Sequence, residues 1–336
     1  MAVAILTHDS FPDRAKTAVG LLRYGDREVR ALVDRERAGQ RVHDSIPDVQ
    51  DAPVVGSMDD VPAVDALIIG ISPIGGKFDE SWREDVRTAL ERGCDVYSGL
   101  HDFLADDEEF ARLAAEHDAE LHDLRKPPED LTVAAGTACD VDATVVTTVG
   151  TDCSTGKMTA SFEIRDAARE RGLDAAVVPT GQTGIAITGH GIVVDRAIAD
   201  YAAGAVERLV EDAQAADLLV VEGQGALAHP AYSGVTTSIL HGSAPDALVM
   251  CHEAGREAIH GYESFAIPPL SEYVDIYERL AAPISDASVV AGMLNTKHLD
   301  ESGAADAVAE YSDALDAPAT DPVRHGVPDA VLDAIT

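Results

Sequence analysis

The chain of 336 residues is long enough for two domains, and its 60 acidic residues against 25 basic ones give a formal charge of −35 at pH 7. With only five lysines (Lys16, Lys77, Lys126, Lys157 and Lys297), it has no basic stripe to neutralise phosphates, which argues against a nucleic-acid partner. No apolar run approaches the ~20 residues that cross a bilayer, so no membrane partner is expected.

Acidity this evenly spread predicts a salt-loving cell, because molar salt shortens the Debye length to roughly 3 Å and removes most of the self-repulsion. The four cysteines form no C-x-x-C pair, and the N-terminus MAVAILTHDS lacks the basic-then-apolar pattern of a signal peptide. A cytoplasmic protein with reduced thiols is therefore expected.

Short apolar runs at 3–6, 28–33, 66–71 and 95–97, with helical stretches between them, predict a parallel α/β domain that is Rossmann-like in its alternation. The turn after the first run, Thr7-His-Asp-Ser-Phe-Pro12, has no G-x-G-x-x-G, so NAD binding is poorly supported. The segment Gly70-Ile-Ser-Pro-Ile-Gly-Gly-Lys77 looks like a phosphate loop at a glance. Its extra glycine and the Phe78-Asp79 that follow fit a tight strand-to-helix turn better.

Pro127-Pro128 cannot continue a helix, and the Ala/Gly/Thr-rich stretch beyond has no clear period. The expected organisation is a domain over 1–126, a linker over 127–143 and a second domain over 144–336. Further runs at 144–149, 175–178, 218–221, 247–250 and 289–294 predict a mostly parallel sheet in that second domain.

The first of these runs leads directly into Gly150-Thr151-Asp152-Cys153-Ser154-Thr155-Gly156-Lys157-Met158-Thr159, which opens a helix. Strand, glycine loop, lysine and helix are the order of a P-loop, in which inward-turned backbone N–H groups, the helix N-terminus and a lysine hold a phosphate. The second domain is thus read as P-loop NTPase-like. The loop departs from the usual G-x-x-x-x-G-K-[ST] in two ways: five residues separate its glycines, as in dethiobiotin-synthetase-like proteins, and Met158 stands where a hydroxyl normally ligates Mg²⁺. A thioether is a poor ligand for so hard a cation, so no metal is expected and the loop suits a diphosphate held without cleavage, as in a coenzyme A site.

Carboxylates at strand ends face the ligand crevice of open α/β sheets, which makes Glu222 a candidate metal ligand or general base. Thr180, Gln182, Thr183 and Gly184, after another strand, are candidate orienting groups, as are Gln224 and Asn295; His229, Tyr232 and His252 are weaker candidates. Arg23 has the chemistry to clamp a carboxylate with two parallel hydrogen bonds.

The loop motif, Thr180-Gly-Gln-Thr-Gly184, Glu222-Gly-Gln-Gly225 and Gly20-Leu-Leu-Arg-Tyr-Gly25 together resemble, over nearly the whole chain, a former domain-of-unknown-function family now associated with D-glutamate N-acetyltransferase of the DgcN type. The resemblance implies a two-domain enzyme that moves acetyl from acetyl-CoA to the amine of D-glutamate, a small-molecule substrate. On that reading Glu222 is the base, with Asp152 and His229 as stand-ins, Lys157 and the loop amides hold the CoA phosphates, and Arg23 takes a substrate carboxylate. An ATP/Mg-dependent ligase or kinase of the dethiobiotin-synthetase type is the first alternative, with Thr159 and Glu222 holding the metal. A non-catalytic nucleotide- or CoA-sensing module is the second, since a phosphate loop reports binding and not catalysis. A homo-oligomer is the usual state for a metabolic enzyme of this size.

Overall fold

Five consecutive apolar residues form strand β1 (Ala2–Leu6), and all five are buried, as expected of a strand covered on both faces. The computed structural model in which it sits describes residues 1–71, 73 and 75–336, so Ser72 and Ile74 of the 70–77 turn lie outside the described residues. The chain divides into two compact units, one made of Met1–Pro127 with Gln182–Val193, the other of Pro128–Gly181 with Val194–Thr336.

The first unit contains β1, β2 (Glu28–Val33), β3 (Val54–Val55), β4 (Ala66–Ile69), β5 (Asp95–Ser98) and β6 (Leu121–Asp123) in the order β3-β2-β1-β4-β5-β6. Every pairing is parallel, with Val3 opposite Ala66 and Leu6 opposite Ile69 across the central pair. This strand order, reversing between β1 and β4, is the Rossmann order. Helices α1 (Lys16–Tyr24), α2 (Arg83–Glu91) and α3 (Glu108–Glu116) cover the sheet, and Val86, Leu90, Phe110 and Leu113 pack with Leu67, Ile69 and Val96 in one core. Each such large side chain contributes about 1.5–3 kcal/mol by leaving water.

Asp34, at the end of β2, stands where dinucleotide-binding folds place a ribose-binding acid. Here its Oδ1 accepts from the N–H groups of Asp9 and Glu36, at 3.3 and 3.1 Å, so the carboxylate organises the turn after β1 instead. The glycine-free turn and this bonding pattern account for the absence of a dinucleotide fingerprint.

In the second unit β7 (Thr144–Gly150), β8 (Ala175–Val178), β9 (Leu218–Val221), β10 (Ala247–Glu253), β13 (Ser288–Asn295) and β14 (Ala319–Thr320) form a parallel sheet in the order β14-β13-β10-β7-β9-β8. Strands β11 (Ala258–Ile259) and β12 (Tyr262–Ala266) make a separate antiparallel hairpin. The helices are α4 (Lys157–Glu170), α6 (Ala199–Ala213), α7 (Ser233–Ser243), α8 (Leu270–Ala281), α9 (Glu301–Leu315), α10 (Pro322–His325) and α11 (Asp329–Ile335), while α5 (Gln182–Thr188) packs with the first unit.

Successive residues of a strand face opposite ways, and β10 shows what that does for the core. Ala247, Val249 and Cys251 join Ile164 of α4 and Leu332 of α11 on one face, while Leu248 and Met250 join Tyr273, Tyr277 and Tyr311 of α8 and α9 on the other. The stretch expected to be a linker is tied to this unit: the N–H groups of Ala135, Gly136 and Thr137 all donate to the carboxylate of Glu207. Among the described residues no helix is long and apolar enough to cross a membrane.

Candidate active site

Strand β7 ends at Gly150 and α4 begins at Lys157, so the loop between them lies at the carboxyl end of the sheet, against the N-terminus of a helix. Its last turn depends on Gly156, whose φ of +104° lies in the left-handed region that side chains disfavour. Lys157 is buried and arches back over the loop, its Nζ donating to the carbonyl oxygen of Asp152 at 2.7 Å. Thr155 Oγ1 donates to the same oxygen at 3.3 Å.

The walls are built from groups with few alternatives. Tyr273 donates to the carbonyl oxygen of Thr151 at 2.6 Å, and Tyr277 to that of Gly150 at 2.8 Å, each with its phenol pushed up by burial. Thr151 Oγ1 and His252 Nδ1 share a hydrogen bond at 2.7 Å, and burial pushes the His252 imidazole down to about 4, with Arg256 adding to the effect.

The Asp152 side chain is wholly buried and fully engaged. Its Oδ2 accepts from Arg256 and from the N–H of His260, both at 2.9 Å, and its Oδ1 from the N–H of Cys153 at 2.6 Å. The same guanidinium donates to the Cys153 carbonyl at 2.7 Å and to Glu253 at 2.7 Å. Asp152 is thereby the anchor that fastens the β11–β12 hairpin to the loop.

Glu222 follows β9 and is buried, with Oε2 accepting from the N–H of Gly181 at 3.3 Å. Gln224 donates to the carbonyl oxygen of Thr180 and, at 3.1 Å, to its Oγ1, while Thr180 Oγ1 donates to the Glu222 carbonyl at 2.5 Å. Thr180, Glu222 and Gln224 are thus one hydrogen-bonded cluster. Between the last two sits Gly223, where a Cβ would lie 1.7 Å from the Thr148 carbonyl oxygen, so no side chain fits.

Met158 is 5% exposed, its thioether in the interior, and Ser154 is exposed at the loop's tip. Thr159 faces a cavity of about 360 Å³ beside the loop, walled by Thr155, Gly156, Asn295, Lys297, Pro322 and Val323 among others. That volume lies within the range of small-molecule sites, and apolar walls with a few polar groups are their usual lining. Asn295 therefore belongs to the cavity next to the loop.

Arg23, Gln182, Thr183 and Gly184 belong to the first unit. There Thr183 Oγ1 and Thr17 Oγ1 are 3.0 Å apart, α5 lies against α1, and the Arg23 Nε is shielded from solvent without a hydrogen-bond partner among the described residues. Residues that pattern reasoning missed are Arg256, Tyr273 and Tyr277, whose only sequence signal is being polar-tipped side chains on otherwise ordinary elements.

An α/β protein that joins a Rossmann-ordered unit to a unit with a P-loop is the class these features define. The chain matches the family described as "Domain of unknown function (DUF1611_C) P-loop domain" over residues 132–332 and "Domain of unknown function (DUF1611_N) Rossmann-like domain" over residues 35–127. It belongs to the DUF1611 family. It is 39% identical over 261 residues to the D-glutamate N-acetyltransferase of Tritonibacter scottomollicae, covering 77% of this chain and 78% of that one. It is 35% identical over 264 residues to the D-glutamate N-acetyltransferase of a Pseudoalteromonas species, covering 78% of each. The crystal structure of a DUF1611 family protein from Anabaena variabilis superposes with a TM-score of 0.92 at 37% identity, covering 99% of this chain and 98% of that one.

Proposed function

We propose that the protein is an N-acetyltransferase that moves acetyl from acetyl-CoA to the amine of D-glutamate or a closely related amino acid. The observation that carries this reading is the similarity, over more than three quarters of the chain, to two proteins named for that activity. The buried Met158 supports it: the loop has its amides and Lys157 for a diphosphate but lacks the hydroxyl that usually follows the lysine and binds Mg²⁺. On this reading the loop holds the CoA diphosphate and the adjoining cavity takes the nucleoside. Glu222 is the proposed base for the substrate ammonium, which must lose a proton before its nitrogen attacks the thioester and expels the CoA thiolate.

The test is incubation with acetyl-CoA and D-glutamate in molar KCl, with L-glutamate as control, following free CoA thiol and the acetylated product by mass spectrometry. Thiol release dependent on D-glutamate, with a matching N-acetyl product, is the expected result. ADP formation dependent on Mg·ATP, without thiol release, would replace the reading by the ligase or kinase one.

We further infer a cytoplasmic, salt-adapted protein, the salt adaptation supported by the formal charge of −35, and a homo-oligomer, the usual state of a metabolic enzyme of this size. The thermal midpoint is expected to rise steadily from dilute buffer to molar KCl; a midpoint independent of salt removes the salt-adaptation part.

A further inference from the structure

His229 closes the turn between Glu222 and α7, and only 2% of its surface is exposed. Its Nδ1 faces two backbone N–H groups, those of Ala231 at 3.1 Å and Tyr232 at 3.3 Å. A backbone N–H can only donate, so Nδ1 keeps its lone pair and the neutral ring carries its proton on Nε2. A second proton would have to enter at Nδ1, against both donors. Burial acts in the same sense, holding the imidazolium below its ordinary range, while Asp152 opposes the shift and Lys157 adds to it.

Nε2–H is therefore a standing donor, and it faces the phosphate loop. The nearest carboxylate oxygen, Asp152 Oδ1, is 3.9 Å away, too far for a hydrogen bond, and already accepts from the Cys153 N–H. Among the described residues Nε2 has no hydrogen-bond acceptor, so its N–H is left to serve a group that enters the loop. The Cys153 Sγ, an Asp152 oxygen and a His229 ring nitrogen lie within 4.8 Å of one another, a spacing that would suit a metal. A metal on Nε2, however, needs the lone pair there and the proton on Nδ1, which the two amides oppose.

We propose that His229 is a fixed hydrogen-bond donor of the phosphate loop, its Nε2–H serving an oxygen of the diphosphate that the loop amides and Lys157 hold. The inference rests on the reading of the loop as an anion site. It gives His229 a binding role as a neutral donor rather than a base.

Two substitutions separate this role from support of the turn. In His229→Asn the side chain ends at the δ position, where its oxygen can still accept from Ala231 and Tyr232, but no ε donor remains. In His229→Gln an amide N–H reaches the ε position and the δ acceptor is lost. Titrating inorganic pyrophosphate into the full chain by calorimetry, we expect about tenfold weaker binding for the Asn variant and a change within about twofold for the Gln variant. An Asn variant that binds pyrophosphate as tightly as the wild type overturns the proposal. So does equal weakening in both variants with a lowered thermal midpoint, and so does a wild type that binds no pyrophosphate. CoA titrated alongside keeps the two readings apart: a wild type that holds pyrophosphate but not CoA fails the acetyl-CoA reading, while the Asn/Gln contrast still decides His229.

Discussion

Lys157 donates to the carbonyl oxygen of Asp152 at 2.7 Å, so the one lysine of the loop is folded back over its own backbone. The contact fixes the ammonium in advance, so that on the proposed reading less side-chain entropy is left to lose when an anion binds.

Replacing Lys157 by Met keeps much of the buried stem and removes the charge. CoA affinity is expected to fall about a hundredfold, the loss of a charge-assisted bond in a partly desolvated site. Calorimetric titration with CoA checks this, and unchanged affinity would mean that the loop is not where CoA binds.

Glu222→Gln conserves shape and keeps an acceptor for the Gly181 N–H. CoA binding is expected to stay within about twofold, while turnover falls on the order of 10²-fold or more, the usual contribution of a positioned base. Steady-state kinetics beside a CoA titration separates the two effects, and wild-type turnover removes Glu222 from the base role.

Gly223→Ala places a methyl group 1.7 Å from the Thr148 carbonyl oxygen and 2.9 Å from its carbon, backbone atoms of β7 that cannot swing aside as a side chain could. A destabilisation of about 3 kcal/mol or more is expected, read from urea unfolding, in a residue that touches no substrate on the proposed scheme.

His252 predicts a pH dependence. With its folded pKa lowered to about 4 from the ordinary 6.5 of a free imidazole, the unfolded chain takes up the proton first as pH falls. The contribution is complete above the unfolded value and shrinks as pH drops towards the folded one, by about 2 kcal/mol between pH 7 and pH 5. In His252→Asn, whose side-chain oxygen can still accept from Thr151, that share of the pH dependence should vanish. Unfolding curves of both proteins at the two pH values measure it as a difference, which cancels the many surface carboxylates.

Much of this architecture could be read in advance from local pattern. The runs at 144–149 and 218–221 are β-branched or apolar throughout because both faces of β7 and β9 are covered, and such strands announce themselves. The loop from Gly150 to Lys157 was equally legible, since its function fixes residue types at fixed spacing. Strands β3 and β14 were not, because two residues carry no period, and the exposed hairpin strand β12 has no buried face to produce one. The Asp152–Arg256 pair joins residues 104 apart, and the use of Glu207 by the amides of 135–137 is likewise invisible without the fold. Met158 shows the limit from the other side: its identity warned of an unusual metal chemistry, while its burial had to be seen.

The helix Gln182–Thr188 is encoded within the P-loop half of the chain yet packs with the first unit, where Ile185, Ala186 and Ile187 are buried. No single cut in the gene therefore yields two self-sufficient pieces. A fragment ending near residue 127 would lack a helix, and the remainder would carry an apolar one with nothing to cover it.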